Sequence, residues 1–207
     1  MPSSVTKPHP VRQTIRINFL RAAFVAILPL LIFGKSRHDG DTLLLEGIEV
    51  LGVLFIVFAV IGRLWAVLYI GARKNRTVMR DGPYSMCRHP LYLFSTLGVM
   101  GFGMMMLSVI ATVVLTGLTF VILMWTARLE ERYLIAEFGD DYLDYRSAVP
   151  AIIPNPWLFH SPAEVTGNVR TLRVNLFDAL VFLAFIPLAE LLDLFKETGV
   201  IPTFPLY

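Results

Sequence analysis

The chain is predicted to be an all-α, polytopic membrane protein of about five transmembrane helices, with one sizeable aqueous segment after the fourth. Three observations carry this expectation. Hydrophobic residues make up 56% of the 207 and charged residues only 16%, with a mean hydropathy of +0.65, far from the balance of a water-soluble domain. Apolar runs recur at about the 20-residue length that a helix needs to cross hydrocarbon. The basic residues are parcelled into particular loops, and the net charge is only +2, so no basic tract suited to nucleic acid is present.

Taken in order, spans are expected near residues 19–34, 43–70, 91–107, 108–127 and 176–195. The first is short and interrupted by Arg21; the second is long enough to tilt. Between the third and fourth only the neighbourhood of Ser108 can turn, which implies a tight helical hairpin. Lys7, Arg12 and Arg16 precede the first span; Arg73, Lys74, Arg76, Arg80 and Arg88 follow the second; Arg128, Arg132, Arg146, Arg170 and Arg173 lie between the fourth and fifth. The positive-inside rule therefore expects the N-terminus, the 71–90 loop and the 128–175 segment to be cytoplasmic, with the C-terminus on the opposite side. The N-terminal segment lacks a small-residue cleavage site after the first span and reads as retained. Residues 1–207 read as a single integral membrane domain, with a core region at 80–155 and a linker plus last helix at 156–207.

The 128–175 segment is too small to hold a nucleotide-binding domain, so any chemistry there must use helix ends. Glu130 to Phe138 continues the fourth span as helix, and Gly139 is expected to stop it in the αL conformation. Asp140 and Asp141 are placed to cap a short helix carrying Tyr142, Tyr145 and Arg146, after which Pro150, Pro154 and Pro156 force extended chain. The single cysteine, Cys87, excludes an internal disulfide or a CxxC pair. Its neighbour Arg88 would lower the thiol pKa, but no base pairs with it in a recognisable nucleophile pattern, and packing is its expected role.

Two clusters carry the chemistry. Pro90 suits the first turn of a helix, where its missing N–H is harmless, so Arg88 and His89 flank a helix N-terminus. Dipole and free N–H groups there attract an anion, and Arg88 adds a planar fork for carboxylate or phosphate. Two antiparallel spans bring Glu130 and Glu131 back to the same level, where carboxylates suit a ligand amine or hydroxyls. Alone, Arg88 and His89 also read as topology and interfacial residues, and the glutamates as solvated charges paired with Arg128 or Arg132. Together they favour a ligand carrying both signs of charge beside the bilayer.

The ordered run Gly82-Pro83-Tyr84, Arg88-His89-Pro90-Leu91-Tyr92, Glu130-Glu131, Leu134, Phe138-Gly139, Tyr142, Tyr145, Val149-Pro150 and Pro154 resembles the isoprenylcysteine carboxyl methyltransferase and phospholipid methyltransferase superfamily. The resemblance implies an integral membrane enzyme using S-adenosylmethionine, bound by the hairpin ends and the cytoplasmic segment after span four. It implies cofactor contacts from His89 with the helix start at Pro90, from Glu131, and from the aromatic faces of Tyr84, Tyr92 or Tyr145. Methyl transfer is an in-line displacement that needs alignment and dryness more than acid or base catalysis, and a lipophilic acceptor entering from the membrane supplies the dryness. Arg88 would orient a carboxylate acceptor, as on a prenylcysteine-like amphiphile; Glu130 would serve as base for an amine, as in a phospholipid headgroup. The run from Phe138 to Pro150 looks most like the carboxylate branch. One departure is Phe94, where the family often has a small residue, and it bears on the shape of the acceptor pocket.

Two competing readings are a nicotinamide-dependent membrane reductase, which would need a larger basic pocket, and a non-enzymatic scaffold or transporter, which predicts charges deeper within several spans. Gly98, Gly101 and Gly103 imitate a dinucleotide fingerprint, but inside an apolar helix they signal close packing. Met104, Met105 and Met106 read as packing or acceptor-tunnel lining. His9, His38, His89 and His160 are too scattered for a metal site, and no metal is expected. Arg63, near one end of the second span, would either snorkel or face the acceptor.

Overall fold

The structure is a computed structural model that describes residues 34–36, 42–70, 77–165 and 169–206, together with scattered positions between 22 and 33. Its main elements are the helices α1 (Thr42–Ile70), α2 (Pro83–Met86), α3 (Pro90–Met105), α4 (Val109–Phe138), α5 (Asp140–Ala148) and α6 (Val169–Glu197). The sole strand pairing among the described residues joins β1 (Gly34–Ser36) in parallel to β2 (Phe204–Leu206). Three helices are long and apolar enough to cross a membrane, Leu43–Ile70, Val109–Phe138 and Leu172–Lys196, with Pro90–Met105 a shorter apolar companion. The fold is therefore all-α and polytopic. Residues 19–21, 23, 24, 26 and 30 of the first expected span lie outside the described residues, and Ile27 and Leu31 from it pack into the core.

The α3–α4 hairpin turns at Met106–Ser108, as expected. Leu107 takes a positive φ of 49° and Ser108 caps α4 by accepting a hydrogen bond from the Ala111 N–H at 3.2 Å. At about 1.5 Å per residue, α4 is roughly 45 Å long against about 30 Å of hydrocarbon, so its last turns project beyond the bilayer. Its inward face is a stripe of every fourth residue: Ala111, Leu115, Leu123, Ala127 and Glu131 are buried. This is the i+4 ridge of ridge-into-groove packing, and Tyr92 of α3 packs on its Leu123 and Ala127.

Helices α1 and α3 approach closely because small residues face each other. A Cβ on Gly101 would meet the Gly52 carbonyl and the side chains of Phe55 and Ile56, while Gly98 and Gly103 face Phe182 and Thr112. The glycines thus serve helix packing, and Met105 and Met106 belong to the core cluster with Ile56, Phe102, Ala111, Leu115 and Ala189. Arg63 turns inward. Its Nη1 donates to Ser95 Oγ and its guanidinium lies 5.2 Å over the Phe182 ring, tying α1 to α3 and α6.

Phe94 is buried against Phe58 and fills the notch left by Gly62. The C-terminal ends of α1 and α4 meet the N-terminal end of α3, and the candidate site forms there.

Candidate functional site

Pro90 occupies the first turn of α3 with His89 as its N-cap, as its chemistry requires. The segment before it is stitched to the 150–160 segment through the backbone. Arg88 N–H donates to Pro150 O at 2.9 Å, His89 N–H to Ala151 O at 3.1 Å, Gly82 N–H to His160 O at 2.8 Å, and Asn155 N–H to Met86 O at 3.0 Å. Side chains add to this: Tyr145 Oη donates to Tyr84 O at 2.7 Å, and the buried Ser85 hydroxyl donates to Gly82 O at 2.6 Å while accepting the His160 N–H at 3.1 Å. Below it Tyr142, Tyr145 and Val149 form a small core with Leu134, Ile135 and Phe138.

Gly139 ends α4 with φ 57° and ψ −129°, outside the expected αL region and in backbone space that is essentially glycine's own. It is also the N-cap of α5, so Asp140 and Asp141 lie in the first turn and do not cap it. There they still complement the helix dipole, and Asp141 Oδ1 accepts from Arg80 Nη2 at 2.6 Å. Pro156 itself opens a 3-10 turn, Pro156–Leu158, in a segment expected to be extended.

The centre of the site is Glu131. Its Oε1 accepts from Arg88 Nε at 2.9 Å and faces His89 Nε2 at 3.0 Å; its Oε2 lies 3.4 Å from Arg146 Nε. The side chains of Glu131, Arg88 and His89 are 10%, 12% and 7% exposed. An anion drawn to this helix start was expected, and a carboxylate of the protein itself supplies it. Arg88 Nη1 donates to Arg146 O at 2.6 Å and Val149 O at 2.9 Å, so its guanidinium clamps α4 to the end of α5. Arg146 was not singled out from sequence as a site residue; its only signal was its place one turn after the buried Tyr142, and its side chain is 47% exposed.

The sequence candidates divide as follows. Arg88, His89 and Glu131 meet directly, and the Tyr92 ring stacks on His89 with centroids 5.4 Å apart and planes within 6°. Tyr145 spends its hydroxyl on the backbone. Tyr84 is 6% exposed and its hydroxyl has no hydrogen-bond partner among the described residues. Burial, with Tyr145, Cys87 and Glu130 nearby, holds that hydroxyl well above the ordinary phenol range, so it stays a neutral donor. Glu130 is half-buried and makes no hydrogen bond or ion pair among the described residues.

Cys87 is buried, and burial pushes its thiol up from 9.0 to about 11. This overturns the expectation that Arg88 lowers it: the guanidinium is committed to Glu131 and two carbonyls, and desolvation wins. Among the described residues no three His, Cys, Asp or Glu side chains gather as a metal cluster. Beside Arg88 a cleft of about 560 Å³ opens, lined by Arg146, Val149, Pro150, Ile153, Pro154 and Asn155 among others.

Comparison with known proteins places this architecture. The phospholipid methyltransferase family profile matches residues 48–141. The cobalt-zinc-cadmium resistance protein CzcN of Cupriavidus metallidurans is 39% identical over 188 residues, covering 90% of this chain and 85% of its own length. The nickel-cobalt-cadmium resistance protein NccN of Alcaligenes xylosoxydans xylosoxydans is 32% identical over 206 residues, covering 98% of this chain and 96% of its own. Protein-S-isoprenylcysteine O-methyltransferase of Schizosaccharomyces pombe is 31% identical over 81 residues, 39% of this chain and 34% of its own. No solved structure matches. With the Arg88-His89-Pro90 helix start joined to the Glu131 stripe of α4, the chain belongs to the phospholipid and isoprenylcysteine carboxyl methyltransferase superfamily of membrane proteins.

Proposed function

We propose that this protein transfers a methyl group from S-adenosylmethionine to a lipophilic acceptor at the cytoplasmic membrane face, the acceptor being the carboxylate of a prenylcysteine-like amphiphile. The observation that carries this reading is the buried meeting of Arg88, His89 and Glu131, of which Arg88 also lines an open cleft of about 560 Å³. The residues present fit the cofactor. Tyr84 has a buried hydroxyl without a partner among the described residues, the kind of group that a polar ligand satisfies, and the His89–Tyr92 stack offers an aromatic face.

Bound S-adenosylmethionine would supply an electrophilic methyl group on a sulfonium. His89, the α3 start at Pro90, Glu131 and the rings of Tyr84, Tyr92 and Tyr145 would hold it. Arg88 lines the cleft with its Nε and Nη1 already anchored, so the remaining Nη2 is pre-set to orient an acceptor carboxylate. A carboxylate is already a nucleophile and asks no base of the protein. A second reading, an amine acceptor in a phospholipid headgroup, is favoured by Glu130, whose carboxylate has no partner among the described residues and sits near Tyr84. It would receive the amine proton.

Thermal stability of the purified protein titrated with S-adenosylhomocysteine tests the cofactor. A ligand at about 100 times its Kd stabilises the folded state by roughly 2.7 kcal/mol. A shift with a nicotinamide nucleotide and none with S-adenosylhomocysteine would sink the proposal. Tyr84→Phe sharpens it: removing an unpartnered hydroxyl should leave stability unchanged or slightly raised while weakening S-adenosylhomocysteine about tenfold, or about 1.4 kcal/mol. Labelled methyl transfer to a prenylcysteine analogue against phosphatidylethanolamine then separates the two acceptors.

A further inference from the structure

The segment between α5 and α6 carries a surface that the site does not use. From residue 147 to 163 the chain has no Asp, Glu, Lys or Arg, although it lies outside the helices long and apolar enough to cross a membrane. Within it Trp157 is 93% exposed, Ile153 81% and Phe159 51%. Large apolar side chains held outward together, with no charge among them, mark an interaction surface.

The fold says what that surface meets. Phe159 packs against Trp65 of α1 with ring centroids 6.1 Å apart, Trp65 meets Tyr69 edge-on, and Tyr69 Oη shares a hydrogen bond of 2.8 Å with Ser161 Oγ. Trp65 and Tyr69 occupy the last turns of a helix that crosses the membrane, the level at which Trp and Tyr form an interfacial belt. The 153–159 turn therefore continues that belt sideways. Its backbone is held by the bonds from Gly82 to His160 O and from Asn155 to Met86 O. The side chains are thus presented by a fixed loop.

We propose that the 153–159 turn docks on the lipid bilayer, with Ile153, Trp157 and Phe159 inserted at the boundary of headgroups and acyl chains. Ile153, Pro154, Asn155 and Pro156 also line the cleft beside Arg88, so docking sets the mouth of the cleft against the lipid surface. This requires only that the chain sits in a bilayer and is independent of methyl transfer.

The test uses the full chain in phosphatidylcholine and phosphatidylglycerol nanodiscs. Cys87 is the one native cysteine and is 1% exposed, so a nitroxide attaches selectively at Ile153→Cys. Spin-label collisions with oxygen, which partitions into lipid, should exceed those with a water-soluble nickel chelate, as expected about 5–10 Å into the interface. The same label at Asp144→Cys on exposed α5 should show the reverse. Quenching by lipids brominated near the headgroup end should be clear in the wild type and reduced in Trp157→Phe, which leaves Trp65 and Trp125 in place. The proposal fails if the label at 153 favours the nickel chelate, if it is shielded from both reagents as under a protein partner, or if Trp157→Phe leaves lipid quenching unchanged.

Discussion

Replacing Glu131 by alanine should be far more damaging than replacing Glu130, although the two stand side by side in sequence. Glu131 closes the i+4 stripe of α4 and holds Arg88 and His89 at 2.9 and 3.0 Å, all three side chains being at most 12% exposed. Removing one member of a buried pair costs about 3–5 kcal/mol because the other is stranded. Arg88 keeps the carbonyls of Arg146 and Val149, and the half-exposed Arg146 contact adds little, so the lower end of that range, about 3 kcal/mol, applies. For a chain of this length each kcal/mol moves the midpoint by about 2–4 °C. Glu131→Ala should therefore unfold roughly 6–12 °C early. Glu131→Gln, which keeps one acceptor oxygen, should fall between. Glu130→Ala, with no bond to break among the described residues, should stay within about 0.5 kcal/mol. Helix ellipticity followed during heating in detergent, without added ligand, measures all three. Equal losses for Glu130→Ala and Glu131→Ala, or an unchanged midpoint for Glu131→Ala, would refute the assignment of Glu131 as the inward carboxylate.

Three further outcomes follow from the packing. Gly62→Ala drives a methyl into the Phe94 ring and should cost about 1–3 kcal/mol; combined with Phe94→Ala the losses should fall short of the sum by about 1 kcal/mol or more in a double-mutant cycle. Cys87 should resist alkylation at neutral pH until the protein is unfolded. Its raised thiol pKa contributes stability that is complete below about pH 9 and disappears as pH climbs towards about 11, because the unfolded chain releases the proton first; Cys87→Ser should flatten that alkaline limb of the stability curve. Ser108→Ala removes the cap of α4 and should lower the midpoint by the equivalent of about 1 kcal/mol.

Much of the architecture is legible in the sequence. Apolar length and charge spacing located the long spans, Pro90 announced a helix start, and Ser108 marked the hairpin turn. The glycines of α3 read correctly as packing residues, since an apolar helix offers no strand and turn for a phosphate. Details of backbone conformation were less legible. Gly139 was expected in αL and took another positive-φ state, displacing Asp140 and Asp141 from the cap, because the joint between α4 and α5 had to let Tyr142 and Tyr145 pack under Leu134 and Phe138.

The sequence by itself determined that two opposite-charge clusters lie at one end of a membrane hairpin, since span length and the Pro90 helix start depend only on local chemistry. Only the tertiary structure decided which of two adjacent carboxylates faces inward, because that depends on the ridge of α4 that α3 covers. Tertiary structure also decided that Arg88 and His89 are already engaged by Glu131, that Arg146 joins them, and that the Tyr84 hydroxyl is buried without a partner among the described residues. The contacts of Glu131 with Arg88 and His89 join residues 43 and 42 positions apart, and only the packed chain brings them together.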